Sequence, residues 1–135
     1  MLRFVAWLTV NDVTTGSSVP YPEVQPLDLE LSPEDAFDLA LATARETRGW
    51  RIVAESARGG WFDAEATSTL LRFVDDIRVW VEAPSASGCR IQMRSRSRLG
   101  RGDFGANAHR IQAFLRRVGK RVESSQEVQT SPLPG

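Results

Sequence analysis

The chain has 135 residues, with 17 basic and 17 acidic side chains, zero formal net charge, one cysteine and one histidine. That length suits one domain, and a domain of this size buries roughly 65–70% of its unfolded surface, enough for a core without disulfides. The lone Cys89 excludes an internal disulfide, and one cysteine with one histidine excludes a Cys/His metal site; no metal or other cofactor is expected.

Residues 1–10 (MLRFVAWLTV) are apolar apart from one arginine, and Asn11-Asp12 follows with no small-residue cleavage site. They are too short for a bilayer span, which needs about 20 apolar residues. They read as a strand or docked segment, with a membrane-associating anchor as the alternative. Residues 11–26 are rich in Pro, Gly, Ser and Thr, which is loop chemistry. Leu27, Leu29 and Leu31 alternate with Asp28 and Glu30, the period of a half-buried strand. Ser32-Pro33-Glu34-Asp35 then opens a helix, with a capping serine, proline at the first position and two acids at the positive end. Phe37, Ala40, Leu41 and Ala44 share one face of it, and Gly49 closes it.

Four strands are expected next. Trp50, Ile52 and Ala54 alternate with Arg51, Val53 and Glu55, and Gly59-Gly60 marks a hairpin turn. Residues 61–74 read as a long strand bent near Ser68-Thr69, with Asp75-Asp76 as the following turn. Ile77, Val79 and Val81 alternate with Arg78, Trp80 and Glu82; after residues 84–88, Cys89, Ile91 and Met93 alternate with Arg90, Gln92 and Arg94. Asp103 caps a last helix whose apolar stripe is Phe104, Ala108, Ile111, Leu115 and Val118. Residues 1–26 are thus an apolar segment and loop, 27–122 one domain, and 123–135 a flexible tail. The class is α+β: an antiparallel sheet of four to five strands with two helices on one face.

Arg94, Arg96 and Arg98 stand two apart on an expected strand, so they share a sheet face at about 6–7 Å spacing. Guanidinium groups in a row repel unless carboxylates or an external anion neutralise them. Asp75, Asp76, Asp63 and Glu65 are the candidate carboxylates, while Ser95 and Ser97 point toward the helices and need partners there. One reading is a structural network of these arginines with Asp75, Asp76, Asp103 and Asn107. The other is an anion or partner site formed by Arg94, Arg96, Arg98 and Arg110 beside a helix start.

The stretch Arg94–Arg110 (RSRSRLGRGDFGANAHR) and the stretch Leu71–Asp76 (LRFVDD) resemble the domain-of-unknown-function family 1499. Arg94, Ser95, Ser97, Arg98, Gly100, Asp103, Gly105, Asn107 and Arg110 carry the first match, and Asn11–Thr15 is similar to an element that precedes the family domain. The resemblance implies no activity, since the family has none assigned. Many relatives look membrane-anchored through N-terminal spans that this sequence does not show.

Function is expected to be non-catalytic: a binding or accessory domain contacting a protein partner or small anion through the arginine-lined face. The alternative is a small hydrolase or lyase using Asp75, Asp76 and Arg98. Cys89 faces the core, and His109 has no nucleophile beside it in the sequence. Residues 1–87 hold 7 basic and 14 acidic side chains, and residues 88–135 hold 10 and 3. Within one domain these halves neutralise each other, so nucleic acid is not the expected partner. A cytoplasmic location is expected, with peripheral membrane association through the N-terminus as the alternative.

Overall fold

The computed structural model describes residues 12–16, 21–70, 72–98 and 105–130. Its elements in order are β1 (Asp12–Thr14), β2 (Leu27–Leu29), α1 (Pro33–Arg45), β3 (Trp50–Ser56), β4 (Trp61–Thr67), β5 (Val74–Ser85), β6 (Gly88–Ser97) and α2 (Ala106–Thr130). All strands pair antiparallel in one sheet of order β1-β6-β5-β4-β3, and β2 shares the outer edge of β6 with β1.

The period-two patterns decide which face is buried. Phe62, Ala64 and Ala66 of β4, Ile77 and Val79 of β5, and Cys89, Ile91, Met93 and Ser95 of β6 all lie under the helices. Ala36, Phe37, Ala40 and Leu41 of α1 and Ile111, Phe114, Leu115 and Val118 of α2 close over them. Fully burying one such large side chain is worth about 1.5–3 kcal/mol, so this layer dominates stability. Phe114 stacks on Trp50 with centroids 5.0 Å apart. The helices are fastened to each other by Arg117, which donates to Thr47 Oγ1 at 2.8 Å, and by Arg121, which meets Thr43 Oγ1 and the Glu46 carboxylate.

Local chemistry sets the boundaries. Ser32 Oγ accepts the Asp35 amide at 3.1 Å and Pro33 takes the first turn of α1. Gly49 sits at φ +84°, and a Cβ there would come within 2.9 Å of the Thr67 carbonyl oxygen. Only glycine therefore permits the turn from α1 into β3.

Four expectations need correction. Asp75 and Asp76 do not form a turn; both lie in β5, opposite Ser97 and Arg96. The turn is earlier, at residues 68–73, where Arg72 adopts φ +57°. Residues 12–14, expected in a loop, pair with Arg94–Arg96, which together with β2 raises the sheet to six strands. The last helix does not end at 122 but continues to Thr130, since nothing in the sequence breaks it. Finally, Ala54 does not face the core with Trp50 and Ile52. A bulge at Val53 shifts the register, so Ala54 stands opposite Asp63 and Glu55 turns to Arg45 of α1 at 2.7 Å.

Candidate functional site

Alternation along β5 and β6 divides the expected site residues between two faces. Under the helices, Ser95 Oγ donates to Asn107 Oδ1 at 2.5 Å, and Asn107 Nδ2 donates to Ser97 Oγ at 3.0 Å. Arg110 Nη1 donates to Ser95 Oγ at 3.1 Å and to Asn107 Oδ1 at 2.7 Å, while its Nη2 meets the Asp75 carboxylate at 2.8 Å. Ser95 and Asn107 are fully buried. This cluster ties the start of α2 to the ends of β5 and β6, and it meets the need of buried polar groups for partners.

The opposite face is uncovered by any described element. Arg94 grips Asp12 with two bonds, 2.9 and 2.6 Å, across 82 positions of sequence. Arg98 meets Asp76 at 2.8 Å and Glu65 at 3.3 Å; Glu65 also accepts from Arg51 at 3.1 Å. Arg78 forks onto Asp63 at 2.6 and 2.7 Å and lies 4.8 Å from the Trp61 ring centroid. Farther along β6, Arg90 meets Asp28 at 2.7 Å. Glu82 accepts from Trp80 Nε1 and Gln92 Nε2, each at 3.2 Å. The hydrogen bond from Arg94 holds the Asp12 carboxyl below its ordinary range, and the Asp76 carboxylate raises the already high Arg98 value.

Arg96 differs from its neighbours. It is exposed, stands between Asp12 of β1 and Asp76 of β5 in register, and yet has no ion pair or hydrogen bond of its own among the described residues. The nearest charges are engaged by Arg94 and Arg98. Its guanidinium borders a shallow depression lined also by Val53, Asp63, Asp76, Arg78 and Arg94.

The expected set is therefore brought together only in part. Arg94, Arg96, Arg98 and Asp76 share the open face; Arg110, Asp75 and Asn107 share the covered one. Asp103 lies outside the described residues. Sequence reasoning missed Asp12 as the partner of Arg94, and no local signal could have joined residues so distant. Cys89 is buried, and burial pushes its thiol up, which disfavours the nucleophilic thiolate. No described helix is long and apolar enough to cross a membrane.

The family model described as "Protein of unknown function (DUF1499)" matches residues 6–118. No curated protein matches the sequence. Among solved structures, the di-domain ARO/CYC BexL from the BE-7585A biosynthetic pathway is similar at 10% identity and TM-score 0.47. The match covers 85% of this chain, which spans 43% of that one. DR_A0006 from Deinococcus radiodurans is similar at 13% identity and TM-score 0.45, covering 87% of this chain and 98% of that one. TTHA0849 from Thermus thermophilus is similar at 12% identity and TM-score 0.38, covering 89% and 99%.

Proposed function

We propose, from the premise that the chain belongs to the DUF1499 family and so inherits no assigned activity, that it is a binding domain. Its open sheet face receives a partner protein that presents a carboxylate to Arg96. The observation that carries this reading is Arg96, which has no ion pair or hydrogen bond among the described residues, in a row whose other arginines are already neutralised. A guanidinium beside a depression, with no hydrogen bond to any described residue, is matched by a single forked acceptor. The rest of the face pairs charge with charge, so it lacks the positive field that a polyanion requires. Half-buried Trp61 and Trp80, with Arg78 against Trp61, are the residue types that anchor protein interfaces.

The hydrolase or lyase reading has less support. Asp75 and Asp76 point to opposite faces, and each is engaged by a different arginine. Two carboxylates so divided cannot share one substrate as acid and base.

Affinity capture with the tagged chain, read by native mass spectrometry, tests the proposal. The wild type is expected to retain a protein that Arg96→Ala loses, with melting temperatures agreeing within about 2 °C, as for a surface substitution. Retention by both, or a small anion retained in place of a protein, overturns it.

A further inference from the structure

The open face is laid out in rungs, because its strands pair in register. Ala54, Asp63, Arg78 and Arg94 stand side by side across β3, β4, β5 and β6. Two positions along each strand, Arg51, Glu65, Asp76 and Arg96 do the same. Side chains two apart on a strand are about 6–7 Å apart, so the depression beside Arg96 is a trough between these rungs, running across the strands. Ala64 and Ile77, whose side chains are buried under the helices, form its floor.

The two ends of the trough differ. At the β6 end stands Arg96, which has no ion pair or hydrogen bond among the described residues. At the β3 end stands Val53, with 45% of its surface in water and outside the apolar core. The bulge puts it there. Ile52 opposes Ala64 and Ala54 opposes Asp63, so Val53 and Ala54 occupy a place that regular pairing gives to one residue. A bulge re-aims a side chain and costs ladder pairing, and here it adds an aliphatic group to the trough rather than to the core. Val53 and Arg96 lie three strands apart, about 14 Å at the usual strand spacing.

We infer that the partner protein is held through an extended segment lying in this trough, with one carboxylate on Arg96 and an aliphatic side chain on Val53 four residues away. This rests on the reading of Arg96 as the carboxylate receptor and adds a second, apolar contact that sets the partner's sequence. An extended chain advances about 3.3 Å per residue and points every second side chain the same way. Residues four apart therefore span about 13 Å with both side chains toward the sheet. Residues two apart fall short, and those three or five apart point to opposite sides. Charge complementarity limits the segment further. Asp63 and Asp76 flank the middle of the trough, each already bonded to an arginine, so a second acid at the central position is repelled. The segment carries one acid, a small uncharged residue at the centre and an aliphatic residue, in place of an acidic run.

The test is an NMR titration of the full nitrogen-15-labelled chain with the blocked peptide acetyl-Glu-Thr-Ser-Thr-Leu-amide. Saturable shifts are expected at the amides of Val53, Ala64, Ile77 and Arg96. Moving the leucine to two residues from the glutamate, or replacing it with alanine, is expected to weaken binding about tenfold, as for loss of a largely buried leucine contact. Val53→Thr keeps the branched shape, so its melting temperature is expected to match the wild type. It is expected to weaken the leucine peptide about fivefold and to leave the alanine peptide unchanged, which isolates the contact between the two side chains. Arg96→Ala is expected to weaken both peptides about tenfold or more. No saturable binding by the wild type, or equal affinity for the two leucine spacings, overturns the inference. So does a Val53→Thr variant that binds the leucine peptide as the wild type does. If Arg96→Ala still loses the peptides in that case, the carboxylate receptor stands and only the apolar contact fails; peptides bound equally with and without Arg96 sink both.

Discussion

Beneath the helices, the Asp75–Arg110 pair keeps only 13% and 19% of its side-chain surface in water; across the sheet, the Asp76–Arg98 pair keeps 52% and 48%. The two aspartates are adjacent in the chain, and the two ion pairs are of like chemistry and length. What separates them is the medium. Removing one partner from a buried pair strands a charge that water cannot reach, whereas an exposed carboxylate is simply rehydrated. The covered pair also sits in a network with Ser95 and Asn107, so its loss orphans further groups. Structure is therefore concentrated on one face, which leaves the other free to change partners.

That contrast is broken or sharpened by substitution. Arg110→Ala is expected to cost about 3 kcal/mol in urea denaturation, from the stranded Asp75 carboxylate. A loss no greater than that of Arg98→Ala would erase the distinction between the faces. Asn107→Ala is expected to cost about 2 kcal/mol, since the fully buried Ser95 hydroxyl and Arg110 both lose an acceptor. On the open face, Arg98→Ala is expected to cost under about 1 kcal/mol, shrinking further in high salt.

The smallest effect concerns acid. The Asp12 carboxyl is held below its ordinary range in the folded protein, chiefly by its hydrogen bond to Arg94. The stabilisation from this bond is complete above the ordinary Asp value of about 4 and is lost as pH falls below it toward the folded value. Asp12 is partly exposed, so the increment is under about 1 kcal/mol. Wild type and Asp12→Asn should accordingly differ in urea midpoint near neutral pH and converge in acid. A gap that persists at the lowest pH would place the effect elsewhere than in Asp12 ionisation.

Much of the fold could be read from the residues because burial leaves a period. Cys89, Ile91 and Met93 against Arg90, Gln92 and Arg94 announce one buried and one wet face of β6, and Ile77 and Val79 do the same for β5. Asp75-Asp76 misled because aspartate is depleted in strands and common in turns. Here each carboxylate finds an arginine on its own side of the sheet, so tertiary pairing overrides local preference. β1 was hidden because three residues cannot display a period, and its function as the Asp12 strand depends on Arg94 far along the chain. The final turns of α2 follow from backbone propagation beyond the packed Val118 and Val122, with no apolar stripe to mark them. At the site, the Arg94–Arg96–Arg98 row was legible as a shared face. Which of them makes no ion pair among the described residues was not, since that depends on residues brought in from β1, β4 and β5.

The alternation of charge through β5 and β6 bears on how the hairpin finds its alignment. A slip of one position in either strand would drive Arg96 and Arg98, or Asp76, into the apolar layer and expel Ile77 or Met93 into water. Misaligned chains would thus be penalised twice, before either helix docks. The same side chains that make the sheet two-faced act as a proofreading device during folding.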